Sequence, residues 1–597
     1  MNLNSIWKPL GVFSLLLVVF FTSCGKKNAF LSMTEPRRVE ILVLGHESDH
    51  HPSEKLMMHI STPLFQKGIN LTYTADPEDL REEVLQNYDG LLIYANHDSI
   101  SPSQEAALKS FVQGGKALIP LHSASFCFRN SDWYVQAVGG QFSTHGTGRF
   151  TTQLVAPTHP ILQGISEFET WDETYVHSQI NPDIQVLMER QEGDKKEPYT
   201  WVRNEGEGRV FYTAYGHNEE TWKQPEFHEL LANGILWAVG DKVTQLLADY
   251  KIPTPQFQDA EIPNYEKRDP APRFQLPLSP EESMKLVQLP VEFKMELFAS
   301  EPMIINPMAM AWDERGRLYV IETVDYPNEV RTEGGNDKIK ILEDTDGDGK
   351  ADKVTVFADK LNIPTSIMAV NGGILISMAP DFIFLKDTNG DDVADVREVV
   401  ITGWGKSDTH AGPSNLKYGF DNKIWGVLGY SGFNGEVGGK SHSFGQGLYR
   451  FAPDASSLEY LGSSSNNTWG LGFTEDFETF LSTANGQHSV YFSMANNYLK
   501  RPIFQGSANT VHGIDSHYDM PHLTPFLRQV DWFGGYTAAA GHNFYTARSF
   551  PESYWNRIAF VAEPTGRVLH KAMINPDGSS YKEKNAFNIL ASSDEWF

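Results

Sequence analysis

At 597 residues, 40% hydrophobic and 12% aromatic, the chain carries more apolar material than one core absorbs, because single cores stop growing at roughly 250–300 residues; two large domains are expected. Its 49 basic residues stand against 76 acidic ones, a formal charge of -27, which repels polyanions and excludes general nucleic-acid binding. Neutral or cationic partners, sugars and calcium among them, suit that charge.

Residues 1–24 read as an export signal: Lys8 gives a positive start, Val12 to Phe21 are almost wholly apolar, and Phe21-Thr22-Ser23-Cys24 follows. The apolar run is too short for a comfortable membrane span. Cys24 sits where a bacterial lipobox places its lipidated cysteine, flanked by the small Ser23 and Gly25, although Phe21 replaces the usual leucine. The expected product is a lipid-anchored protein of the bacterial cell envelope, attached through a polar tether over 25–37. Lys26 and Lys27 lean against an acidic surface-export signal and so towards a periplasmic face. After processing, Cys127 is the remaining thiol; an internal disulfide and a CxxCH haem site are both excluded, and any electrons collected must leave through a separate carrier such as a cytochrome c.

From residue 38 to 242 strand-like and helix-like runs alternate: VEILVLG (39–45), a helical stretch from Ser53 to Lys67, INLTYT (69–74), GLLIYAN (90–96), helical Ser103 to Gln113, and KALIPLH (116–122). Alternation at this spacing predicts a parallel sheet covered by helices. A linker is expected over 243–285, where Pro253 to Pro280 hold seven prolines. From 286 to 597 short strands punctuated by Gly, Asn and Asp predict an all-β unit. Within it IKILEDTDGDGKADKVTVF (339–357) returns as FIFLKDTNGDDVADVREVV (382–400), 43 residues later, and a period near 40–50 residues is that of propeller blades.

The repeated turns are rich in oxygen donors. Asp344, Asp346, Asp348 and Asp352 occupy positions 1, 3, 5 and 9 of a loop with Gly349 at position 6; the second copy offers Asp387, Asn389, Asp391 and Asp395, with Glu398 at position 12 and Asp392 in place of the turn glycine. A hard cation wants this ligand set, so calcium is expected in both, held in strand hairpins rather than EF-hands. Asp/Asn/Gly-rich turns also form without an ion.

Several separated phrases of the first domain resemble the ThuA (trehalose-utilisation) family: His50-His51-Pro52, Leu121-His122-Ser123, Gly139-Gly140-Gln141-Phe142, Trp171-Asp172-Glu173-Thr174-Tyr175, Gly208-Arg209-Val210-Phe211-Tyr212 and Gly216-His217. The resemblance implies an α/β flavodoxin-like fold, akin to class I glutamine amidotransferases. His122 then stands at the turn where amidotransferases carry a nucleophilic cysteine, and thioester chemistry is not available there. Cys127, between two phenylalanines, reads as a buried inert thiol. Because strand ends border the ligand crevice of open α/β sheets, His122 is expected to meet the loop histidines His46, His51, His145, His177 and His217, for sugar recognition, proton transfer or a metal. Asp172 and Glu173 are adjacent, so on a strand they face opposite ways and cannot both enter one site; one can orient a histidine or a sugar hydroxyl.

In the second domain His410 precedes SNLKYGFDNKIWG, which resembles the stretch after the catalytic histidine of quinone-dependent glucose and sorbosone dehydrogenases, and PMAMAWDERGRLYVIETVDYP (307–327) is similar to the first blade of planctomycete-type membrane-bound dehydrogenases. The resemblance implies a propeller, six-bladed in the full-length protein, with His410 as the base that removes a hydroxyl proton while hydride passes to pyrroloquinoline quinone; Asn467 and His488 occupy comparable strand-end phrases. The arginine and lysine set that should grip the quinone carboxylates is not identifiable. Because NAFNILASSDEWF (585–597) stops in what should open another blade, a truncated propeller with exposed sheet edges is expected. Two functions remain open at this point: a carbohydrate-processing lipoprotein with a sugar-handling first domain and a dehydrogenase-like propeller, or a non-catalytic carbohydrate-binding scaffold.

Overall fold

The computed structural model describes residues 33–48, 50–261, 271, 273–331, 334–464, 466–499, 510–524, 527 and 534–597. Cys24, the export segment, residues 25–32 of the tether and residues 262–270 of the proline-rich stretch lie outside the described residues.

The first domain is built on the run β1 (Val39–Gly45), α1 (Ser53–Gln66), β2 (Ile69–Thr74), β3 (Gly90–Tyr94), α2 (Pro102–Gln113) and β4 (Ala117–Pro120). β1 and β3 are buried throughout, the continuous apolar reading of parallel strands covered on both faces. α2 starts where it does because Ser101 and Gln104 form a capping box ahead of Pro102. There follow α3 (Asp132–Val138), β5 (Gln141–Thr151), β6 (Gln153–Leu154), β7 (Glu169–Ser178), β8 (Gln185–Glu192), β9 (Lys195–Glu205), β10 (Gly208–Thr213) and α4 (Pro225–Tyr250), the last broken at Gly240. The main sheet runs β2-β1-β3-β4-β10-β9-β8-β6, parallel from β2 to β10 and antiparallel beyond. β5 and β7 pair separately as a long antiparallel ribbon. Gly139 ends α3 at φ 95, and a Cβ there would meet Ile184 and the Trp201 indole at 2.7 Å, so both the backbone and the space require glycine.

Among the described residues the second domain is a β-propeller of five blades. Their strands are Pro307–Trp312, Leu318–Glu322, Asp337–Glu343 and Lys353–Leu361; Ser366–Val370, Gly373–Met378, Asp381–Lys386 and Val396–Thr402; Pro413–Tyr418, Ile424–Leu428, Gly447–Phe451 and Leu458–Gly462; Thr468–Phe473, Thr479–Thr483, Val490–Phe492 and Val511–Gly513; Ala540–Phe544, Ile558–Glu563, Val568–Asp577 and Ser580–Ser592. The first strands of successive blades lie side by side. Between the first two blades the filling is aliphatic, Ile339 and Ile341 against Ile374 and Ile376; between the second and third it is aromatic, with Trp404 stacked on Phe382 at 4.3 Å. Each such side chain contributes roughly 1.5–3 kcal/mol on burial.

Three expectations change. Residues 585–592 do not open a blade: they belong to the fourth strand of the fifth sheet, whose far edge is met by Val287–Gln288, with Val287 opposite Ser592. Arg37, placed in the tether, is buried and forms a two-pronged ion pair with Asp89 at 2.6 and 2.8 Å. The 243–285 stretch is partly structured, since α4 continues to Tyr250, Phe257–Asp259 pairs with Arg273–Gln275, and buried Gln275 donates to Asp594 at 2.6 Å.

The domains pack through α1. Phe65 sits among Met520, Leu523, Tyr536 and Val561 of the propeller, with the Arg38 guanidinium 3.8 Å above its ring. Arg38 also donates to the Phe65 and Lys285 carbonyls, and Tyr73 lies 5.0 Å from the Phe587 ring.

Candidate functional site

The carboxyl ends of β4 and β10 point the same way, and the loops leaving them carry His122 and His217. His122 turns the chain at φ 45, a costly backbone state for a non-glycine residue that persists where the surroundings fix it. Its ring is buried and stacks on Tyr175 at 4.1 Å. Nδ1–H donates to the Ala214 carbonyl at 2.7 Å, so Nε2 holds its lone pair, and that atom has no hydrogen-bond partner.

Three more side chains meet that lone pair. His51 enters from the turn before α1, its ring 5.4 Å from His122 and 5.5 Å from His217. Glu173, from β7, lies 3.3 Å from His122 Nε2 through Oε2 and 3.3 Å from Nδ1 of His217 and of His145 through Oε1. Ligand atoms of His51, His122, Glu173 and His217 all fall within 4.8 Å of one another. The His51 ring nitrogens and His217 Nδ1 are, like His122 Nε2, buried without hydrogen-bond partners. Buried polar atoms are nearly always partnered, so four orphaned imidazole nitrogens around a carboxylate ask for a cation.

The electrostatics agree with that request. Burial, followed by the neighbouring His122 and His217, lowers His51 to about 3; burial also lowers His217. Burial alone would raise Glu173, but the adjacent imidazoles, His122 first and then His217 and His145, hold it below the usual carboxylate range. Neutral imidazoles beside an ionised carboxylate are the protonation states that bind a metal, and three imidazoles with one carboxylate suit zinc or a similar first-row divalent ion. The site opens towards His145, whose side chain is 40% exposed.

Asp172 points away from the cluster and does different work. Its carboxylate accepts from the backbone N–H of Gly216, His217 and Asn218 at 2.9, 2.9 and 3.2 Å and from the Thr221 hydroxyl at 2.8 Å. This fixes the loop that aims His217, and the opposite facing of successive strand residues is what separates the two acids. His46 and His177, expected here, are elsewhere: His46 bonds Asn96 and stacks on His97, while His177 is bonded to Tyr212 and Glu197. Cys127 is buried, and burial pushes its thiol up.

In the propeller, Asn467 and Ala411 both flank Gly429 and the Trp469 indole donates to the His410 carbonyl, so His410 and Asn467 are neighbours, while His488 belongs to a different cluster. His410 is exposed, 3.2 Å from Asp408 and 5.3 Å from the Tyr326 ring. Asp408 is the charged group in contact with it. Asn467 accepts from the Tyr430 N–H at 3.2 Å, and His488 is buried in another cluster with His517 and His570. In the first repeated turn Asp344, Asp346 and Asp348 bring carboxylate oxygens within 4.8 Å of one another, oxygen chemistry that fits calcium. Asp344 accepts from the N–H groups of Gly347, Asp348 and Gly349, and Asp352 from Thr345. Asp387 and Asp395 repeat both arrangements, with Asp391 and Asn389 capping the turn between them. Asp392 adopts φ 64 in place of the glycine and turns its carboxylate to Arg317 at 2.5 Å. Glu398 is removed from the turn: it is exposed on the following strand opposite Phe384, about 10 Å further along at strand rise.

Residues 279–597 match the family described as "Domain of unknown function (DUF7133)", over half of the chain. The chain belongs to the DUF7133 family. Residues 40–238 of this family member match the family described as "Trehalose utilisation" (ThuA), so a ThuA-like α/β domain precedes the propeller. No curated protein matches the chain. Among solved structures, a ThuA-like protein from Bacteroides uniformis ATCC 8492 is similar at 20% identity over 34% of this chain and 91% of that one, with a TM-score of 0.29. A ThuA-like protein from Parabacteroides merdae ATCC 43184 stands at 15% identity, 34% and 90% coverage, and a TM-score of 0.30. An oxidoreductase (glucose dehydrogenase) from Thermus thermophilus stands at 12% identity over 48% and 84%, with a TM-score of 0.29.

Proposed function

We propose that the ThuA-like domain is a divalent-metal centre that processes a sugar or oxidised sugar, presented at the bacterial envelope by a lipid on Cys24. The observation that carries the reading is the His122 ring: tethered through Nδ1 to Ala214, it aims an unpartnered Nε2 at two further histidines and Glu173. A divalent metal held by His51, His122, Glu173 and His217 would supply Lewis acidity to a sugar oxygen. The more exposed His145, 3.3 Å from Glu173, is the group positioned to exchange protons with a bound hydroxyl. The family description "Trehalose utilisation" supports a carbohydrate as the substrate class. The apolar run ahead of Cys24 supports export and lipidation, and no helix among the described residues is long and apolar enough to cross a membrane.

The test is to incubate the metal-loaded protein with a panel of disaccharides and keto-sugars and follow products by mass spectrometry. His122→Ala and Glu173→Gln are expected to lower turnover by at least two orders of magnitude, within the usual worth of a catalytic metal or base. Turnover that survives both substitutions, or survives complete metal removal, would defeat the reading; sugar binding without turnover would restrict the domain to recognition.

A further inference from the structure

The fourth and fifth blades enclose a second histidine cluster. His488 precedes the strand Val490–Phe492 and His517 follows Val511–Gly513, both in the fourth blade; His570 lies on Val568–Asp577 and Glu583 on Ser580–Ser592, both in the fifth. Ligand atoms of the three histidines lie within 4.8 Å of one another. Glu583 Oε1 is 3.7 Å from Nε2 of His517 and 3.7 Å from Nε2 of His570.

Each member carries a buried ligand atom without a hydrogen-bond partner. The Nδ1–H of His517 donates to the Asp519 carbonyl at 2.9 Å, leaving Nε2 with its lone pair. The Nε2–H of His488 donates to the His517 carbonyl at 3.2 Å, leaving Nδ1 unpartnered. Glu583 is fixed by the Ser516 N–H and hydroxyl, which donate to Oε2 at 2.8 and 2.6 Å, so that Oε1 faces the imidazoles without a hydrogen bond. The side chains of His570 and Glu583 are both fully buried, and His570 Nε2 is among the unpartnered atoms. A buried carboxylate beside imidazole nitrogens that stop short of hydrogen-bonding it is costly unless a cation stands between them. Metal–nitrogen and metal–oxygen bonds of about 2.1 Å set ligand–ligand edges of about 3.4 Å in a tetrahedron; the two Glu583–histidine separations of 3.7 Å approach that edge, and the three histidines lie within 4.8 Å of one another.

We infer that His488, His517, His570 and Glu583 form a second divalent-metal site of zinc type, independent of the centre in the first domain. Four protein ligands with no exposed position make it a structural site. It pins the fourth blade to the fifth and stiffens the surface that receives α1, because Asn585, two residues beyond Glu583, donates to Glu54 in the first turn of α1.

Metal content separates the two sites. In the full chain carrying His122→Ala, which disables the first centre, one zinc per chain is expected by mass spectrometry of the ashed protein. Cobalt(II) substituted into the same protein is expected to give visible absorption of tetrahedral intensity. Adding Glu583→Gln, which preserves shape, or His570→Ala should remove both signals. The inference is overturned if the His122→Ala protein takes up neither metal, or if both signals persist unchanged through Glu583→Gln and His570→Ala. Should His570→Ala fail to fold, cobalt binding in the His122→Ala protein and its loss in the Glu583→Gln form still decide the matter. Failure of the first centre reads differently, as equal zinc content with and without His122→Ala.

Discussion

Replacing Asp172 by Asn probes how the first metal centre is supported without touching a ligand. The side chain is fully buried; Oδ1 accepts from the N–H groups of Glu173, His217 and Asn218, and Oδ2 from Gly216 N–H and the Thr221 hydroxyl. An amide retains one acceptor oxygen. If its NH2 takes the Oδ2 place, Thr221 can rotate to accept, but the Gly216 N–H is set against another donor and the three remaining bonds lose their charge assistance. One orphaned buried donor costs about 1–3 kcal/mol and each of the three weakened charged bonds up to about 1 more, giving about 1–6 kcal/mol in all. Because the loop so loosened carries His217, metal affinity is expected to fall about 10–100-fold, the usual effect of removing a group that orients a ligand. Competition with a chromophoric chelator measures the affinity, and thermal unfolding of the metal-free protein measures the stability. An Asp172→Asn protein with affinity within twofold of the parent would show that His217 is aimed by something else, and the reasoning would fail.

Glu40 predicts a pH effect. Burial drives its carboxyl up to about 7 from an ordinary 4.5, against the Asn70 amide hydrogen bond, with nearby Asp89 raising it further and Arg37 and Arg38 opposing. A folded pKa above the unfolded one means that stability is present below about 4.5 and is lost as pH climbs through about 7. The loss is of order 3 kcal/mol. Glu40→Gln should flatten the stability profile across that window, measured as the denaturation midpoint at several pH values; parallel profiles for the two proteins would refute it. Calcium is expected to raise the thermal midpoint, with Asp344→Asn weakening binding by on the order of tenfold or more; a midpoint indifferent to calcium would leave both repeated turns as ordinary hydrogen-bonded hairpins.

Periodicity carried the architecture. VEILVLG coincides with β1 and INLTYT with β2, and the 43-residue repeat marks the same hairpin, between third and fourth strands, in the first two blades. Alternation along a strand was enough to divide Asp172 from Glu173, though not to say which faced the histidines. What stayed hidden depends on contacts between remote segments. His517, His570 and Glu583 meet His488 only because adjacent blades bring together residues far apart in the chain. One local signal existed: Val568, His570, Ala572 and Ile574 share the buried face of a single strand, and a histidine in that apolar row needs a partner. The seam between Val287 and Ser592 leaves no trace in either segment, since a two-residue pairing has no periodicity to read.

That seam carries a consequence for biogenesis. Its two halves are about 300 residues apart, so the fifth sheet cannot gain its outer strand until the Ser580–Ser592 segment has left the ribosome, and contacts of such high order form late. Earlier blades must wait with the fifth sheet unbuilt, and chaperone occupancy during synthesis should concentrate on nascent chains that have passed the fourth blade but not yet delivered residue 592.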